Sequence, residues 1–119
     1  MTLMFGRMAP TIGVTDVSRA LAFYCGVLGF TKTFENGSPV SFAIVERDGA
    51  ELHLALDPGH VAPAYNVVHV MVNDATALHD RCVAHGAVIV KPLRDADFGL
   101  RCFVFADPDG NLFDVGQEL

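Results

Sequence analysis

Two stretches of this sequence follow the same local programme, and that repeat restricts the fold more than any other feature. Asp48-Gly49-Ala50-Glu51-Leu52-His53-Leu54 aligns with Asp109-Gly110-Asn111-Leu112-Phe113-Asp114-Val115 at an offset of 61. Each copy is an Asp-Gly turn followed by an alternating strand. Upstream, Val14-Thr15-Asp16 matches Val72-Asn73-Asp74 at an offset of 58. There a β-branched strand ends on a residue suited to capping a helix. A chain built this way is a duplicated unit.

The rest of the pattern fills in the unit. Residues 10–15 alternate as a strand, with Ile12 and Val14 on one face. A helix is expected over 18–28, capped by Asp16 or Ser18, with Leu21, Tyr24, Cys25 and Leu28 at helical spacing and Gly29 as its stop. Strands are expected at 30–35, 40–47 and 50–56, joined through Asn36-Gly37 and Asp48-Gly49. Residues 57–65 lack periodicity and read as the connection between halves. The programme then restarts: a strand at 66–73, a helix from Asp74 to about His85, and a short strand at 87–91. A charged loop at 92–99 leads to two closing strands around Asp107-Pro108-Asp109-Gly110. The order is strand, helix, three strands, twice over. The expected class is α+β: one domain over 1–119 made of two βαβββ modules, about 9–57 and 66–117, whose sheets curve around a cleft.

Alternation also sorts the faces. Leu52, Leu54, Phe113 and Val115 point to the core. The opposite faces carry Ala9, Thr11, Glu51, His53, Val67, His69, Met71, Leu112 and Asp114, a set too polar for a closed interior and suited to lining a cleft. At 119 residues and 51% hydrophobic composition the chain suffices for one core. No apolar run reaches membrane-spanning length and no leader pattern is visible. Three widely spaced cysteines fit a cytoplasmic protein with free thiols. A net charge of −6 argues against nucleic acid and is compatible with a cationic small molecule.

The stretches APTIGVTDVSRALAFYCGVLGF at 9–30, ELHL at 51–54 and FGLRCFVFADPDGNLFDVG at 98–116 resemble the vicinal oxygen chelate superfamily, which groups glyoxalase I, bleomycin-resistance proteins and extradiol dioxygenases. In its enzymes, the first and last strands of each module supply ligands to a divalent metal. The resemblance carries those positions to Ala9, His53, Val67 and Asp114. Ala9 and Val67 have no donor atom, and two protein ligands hold a divalent ion weakly. No cofactor is therefore expected. If a metal (Zn, Ni, Mn or Fe) binds after all, His53, His69 and Asp114 are the set that would hold it.

The metal-free relatives are the bleomycin-resistance proteins, which resemble dimers that sequester an antibiotic in clefts between subunits. Pro10 matches a proline of the family's N-terminal strand, whose exchange supports the dimer. The leading expectation is thus a homodimeric, metal-independent binder of a small, antibiotic-like molecule, with His53, His69, Glu51, Met71, Phe98, Arg101 and Asp114 as ligand-binding residues. The chain has no tryptophan, so stacking rests on Phe or Tyr. The competing expectation is a metal-dependent, glyoxalase-like lyase or isomerase in which Glu51 or Asp114 moves the proton. The sequence leaves both an enzymatic and a non-enzymatic reading open. Arg101 also reads as a solvated cation, Glu51 as an exposed strand-end carboxylate, and Cys102 as a core thiol.

Overall fold

The computed structural model describes all 119 residues. Eight strands and two helices follow one another as β1 (Thr11–Val14), α1 (Val17–Leu21, continued by a π-helical stretch Ala22–Val27), β2 (Thr31–Asn36), β3 (Phe42–Arg47), β4 (Ala50–Leu56), β5 (Asn66–Met71), α2 (Ala75–Ala84), β6 (Val88–Asp95), β7 (Leu100–Ala106) and β8 (Leu112–Glu118). They form two four-stranded mixed sheets ordered β1-β4-β3-β2 and β5-β8-β7-β6. In each sheet the first strand runs parallel to the last and the others are antiparallel. The α+β class and the repeated strand-helix-three-strand unit are as expected from the sequence. Thr11 opposite His53 corresponds to His69 opposite Asp114, so the repeat extends to strand register.

Both helices start where the sequence places them. The Asp16 carboxylate accepts from Arg19 N–H at 3.1 Å and the Asp74 carboxylate from Ala77 N–H at 2.9 Å. Gly86, at φ +74°, lies just beyond the end of α2.

The course of α1 differs from expectation. Leu28 N–H donates to the Phe23 carbonyl, five residues back instead of four. The widened turn places the adjacent Phe23 and Tyr24 both in the core, while Leu21 and Cys25 are only half-buried. Strand limits differ as well: β1 and β2 differ by one residue at each end, and β5 ends at Met71, two residues short of expectation. β3 begins at Phe42, after a loop closed by Ser41 N–H on the Asn36 carbonyl. β6 runs to Asp95, through Pro92, which the sequence suggested would open a loop. Because β6 is an edge strand, Pro92's missing N–H breaks no pairing there.

One core serves both halves. Ile12, Val14, Leu52 and Leu54 from the first sheet join Phe103, Phe105, Phe113 and Val115 from the second in a single apolar cluster. Helix α1 holds the halves together: Tyr24 packs on Phe113 (centroids 5.8 Å apart) and Phe23 on Phe105 (6.1 Å). Arg81 of α2 in turn donates to the Val27 carbonyl at the end of α1.

A buried polar latch adds to this. Tyr24 Oη donates to Asp107 at 2.7 Å. The Asn111 amide donates to the Gly13 carbonyl and to Asp107, both at 2.9 Å, and its oxygen accepts from His60 Nε2 at 2.8 Å. Asp109, two residues along the same turn, accepts from the Thr15 hydroxyl at 2.6 Å. The 107–110 turn is therefore anchored to the end of β1, to α1 and to the 57–65 connection. Burial and the Asp107 charge push the Tyr24 phenol far above its usual pKa, so it remains a donor.

Candidate functional site

Since both sheets turn their apolar faces to one core, their other faces point away from it, and each carries half of the polar residues singled out by the sequence. On the first sheet, Glu51 and His53 are neighbours on one face of β4, with His53 Nε2 2.7 Å from a Glu51 oxygen. The other Glu51 oxygen receives Arg7 at 3.3 Å, and Arg7 also reaches Glu46 at 2.6 Å. Hydrogen bonding from Thr33 and from Arg7 holds the Glu46 carboxyl below its usual range. Beside them runs an aromatic row: Phe42 meets His53 edge-on at 5.4 Å, and Phe34 meets Phe42 at 6.2 Å. Sequence reasoning did not single out Phe34 or Phe42. The signal was present, because Ala43 and Val45 are core residues and alternation leaves Phe42 and Ile44 on the outer face beside His53.

On the second sheet, His69 Nδ1 lies 2.8 Å from Asp114 on the neighbouring strand. A side chain added at Gly116 would touch Met71, Leu100 and His69, which places these three together on the outer face. Asp114 and Phe98 line a cleft of about 170 Å³ with Asn66, Lys91 and Arg94. A larger groove of about 1050 Å³ runs between β5 and the β3–β4 turn. Glu51, His69 and Met71 lie along it, with Met8 and Pro10 at the N-terminal end and the core rings Phe105 and Phe113 beneath.

Of the expected site residues, then, Glu51 and His53 gather on one sheet, and His69, Met71, Phe98 and Asp114 on the other. Arg101 does not join them. It stands opposite Gln117, whose side chain accepts from Ala75 N–H of α2, so Arg101 belongs to the helix-bearing face. There it forms a two-point pair with Asp95 at 2.8 and 3.2 Å, which lowers the Asp95 pKa. The one-residue alternation between Arg101 and Cys102 decides this. Val67 also departs from its expected place: it falls in an irregularity between Asn66 and Val68 and packs against the core. His60, in the connection, serves the latch described above.

A divalent ion does not fit the donors of one chain. Ala9 and Val67 offer no ligand atom, and His53 and His69 are committed to carboxylates on different sheets. No group of three or more His, Cys, Asp or Glu side chains is gathered for a metal anywhere in the chain. The set His53, His69 and Asp114 is therefore not assembled within the protomer. No helix is long and apolar enough to cross a membrane.

Comparison with known proteins agrees with this architecture. Residues 6–115 match the model of the Glyoxalase/Bleomycin resistance protein/Dioxygenase superfamily, and the chain belongs to that family. Among curated proteins it is similar to the anthracycline biosynthesis protein DauV of Streptomyces sp. (strain C5), 32% identical over 90% of this chain. The chain spans only 45% of that relative's length. Among solved structures it resembles TioX from Micromonospora sp. ML1, with a TM-score of 0.81 and 27% identity over 97% of this chain and 100% of that one. The bleomycin-binding protein of Streptomyces verticillus, solved with copper(II)-bleomycin, shares the fold: its TM-score is 0.75 at 22% identity, over 99% of this chain and 100% of that one.

Proposed function

We propose that the protein binds and sequesters a planar, antibiotic-like small molecule, without a metal, in clefts that two copies build together in the cytoplasm. The observation that carries this reading is the shared core. It turns the two polar faces outward, so each is half of a site that a facing surface must close. The 170 Å³ cleft on the second sheet is smaller than the roughly 300–1,000 Å³ typical of a small-molecule site, and the groove of about 1050 Å³ that carries Glu51 and His69 runs along the edge strand β5.

Several features support a second copy as the facing surface. Residues 1–10 form no regular structure and expose Leu3, Met4, Phe5 and Met8. Strands β1 and β5 are open sheet edges able to accept another chain. The ligand class is supported by the Phe34–Phe42–His53 row, by the family, and by relatives named for anthracycline biosynthesis and bleomycin binding. Three free cysteines suit a reducing compartment.

The chemistry required is recognition alone. Apolar and aromatic side chains exclude water, while His53, Glu51, His69 and Asp114 orient polar groups of the ligand. Light scattering together with calorimetry tests the reading. A dimer whose ligand affinity is unchanged by chelator and weakened by His53→Ala supports it. A monomer at micromolar concentration overturns the shared cleft. Tight binding of one divalent ion per site, lost in His53→Ala, would favour the second reading. That reading is a metal-dependent lyase or isomerase, which rests on the two histidine–carboxylate pairs and needs two copies to bring them together.

A further inference from the structure

Almost every side-chain cation of this acidic chain is engaged locally. Of its eight Lys and Arg residues, Arg7, Arg19, Lys32 and Arg101 meet carboxylates, and Arg47 and Arg81 donate to backbone carbonyls. Lys91 and Arg94 make no hydrogen bond or ion pair, and both line the 170 Å³ cleft on the outer face of the second sheet. Their convergence has a structural cause. Residues three apart on a regular strand point to opposite faces. Between Lys91 and Arg94 the register of β6 slips, so Lys91 stands opposite Val104 and Arg94 opposite Cys102. Val104 and Cys102 are two apart on β7 and share a face, so the bulge at Pro92 aims both cations to the same side. The carboxylate in the lining, Asp114, is engaged by His69 at 2.8 Å. Phe98 lines the same cleft with its ring largely exposed.

We propose that this cleft is an anion subsite, which takes the carboxylate or ionised phenol of an aromatic ligand between Lys91 and Arg94 while Phe98 covers the adjoining ring. The proposal rests on the reading that the protein binds a planar small molecule, and it gives that molecule an acidic group. Arg94 offers a planar fork suited to two oxygens, and Lys91 adds a point charge. On a surface of net charge −6, an anion would be repelled except where unpaired cations gather. The inference reverses the expectation of a cationic ligand drawn from overall charge.

The test uses three probes with one ring system: naphthalene-2-carboxylate, its neutral carboxamide, and 2-naphthylmethylammonium. Each is titrated by fluorescence into the full chain at pH 7. The expected result is that the carboxylate binds about tenfold tighter than the carboxamide. A Lys91→Met/Arg94→Met double variant should abolish that advantage. Both residues are exposed, and an unaltered circular dichroism spectrum and melting temperature would confirm that the variant is folded. Equal affinity for acid and amide, or tighter binding of the ammonium, overturns the anion subsite and leaves the binding reading standing. If none of the three binds, the reading of a planar-ligand binder falls, and the subsite with it.

Discussion

Replacing Asn111 with alanine should cost about 4 kcal/mol of stability. The side chain is 1% exposed and makes three hydrogen bonds: to the Gly13 carbonyl, to Asp107, and from His60. Two of these join neutral groups, at about 1 kcal/mol each, and the one to a carboxylate contributes about 1.5–3 kcal/mol. Truncation also leaves the part-buried Gly13 carbonyl and His60 ring without their Asn111 partner. Domains of this kind are stable by about 5–15 kcal/mol, so the loss is a large fraction of the total. Urea unfolding, followed by circular dichroism at one fixed protein concentration, would show it as a midpoint lowered by about 2 M for a slope near 2 kcal/mol per molar. Asn111→Asp provides a control of the same shape. Its new carboxylate would face Asp107 across the present 2.9 Å contact, and like charges there raise the folded-state pKa above that of the unfolded chain. Stability of that variant should therefore fall as pH rises from about 4 toward neutrality, the reverse of an ion-paired acid. A loss below about 1 kcal/mol for Asn111→Ala would refute the reasoning, because it would mean that water replaces the latch at little cost.

Gly13→Ala should act through the same bond, since a methyl there overlaps the His60 ring. Combined with His60→Ala it should cost less than the separate effects added, by about 1 kcal/mol in a denaturation cycle. Above about pH 10 the unfolded phenol ionises while folded Tyr24 keeps its proton. Ionisation of this one phenol should then lower stability by about 1.4 kcal/mol per pH unit, a contribution that Tyr24→Phe removes in pH-dependent urea melts. Burial pushes the Cys82 thiol up to about 11, so a thiol reagent at pH 8 should modify the half-buried Cys25 and leave Cys82 unlabelled by mass spectrometry.

Much of the fold was legible because its signals are local. Asp-Gly turns, Asp caps at 16 and 74, and alternation in β4 and β8 each dictate conformation over a few residues, and the repeat joins them into two like units. What was not legible depends on contacts distant in sequence. The wide turn in α1 exists because Phe23 and Tyr24 both find rings on the other sheet, Phe105 and Phe113. No helical period within residues 18–28 encodes that requirement. The continuation of β6 through Pro92 follows from its place at a sheet edge, which only the assembled strand order reveals.

The site divides along the same line. Strand alternation correctly put His53 with Glu51 and His69 with Asp114, because each grouping lies within one sheet. It could not say how the two sheets face, and there the core decides. With Phe23 and Tyr24 of α1 packed across onto the second sheet, the apolar faces of both sheets meet in one core, and the histidines of the two sheets are left on surfaces that the core does not close. The same logic explains why Lys91 and Arg94 escaped notice: a strand ending at Lys91 leaves Arg94 in a loop. Only the slipped register of β6 against β7 brings the two cations to one face beside Phe98. The bulge in an edge strand, where local periodicity fails, is what aims Lys91 and Arg94 to one side.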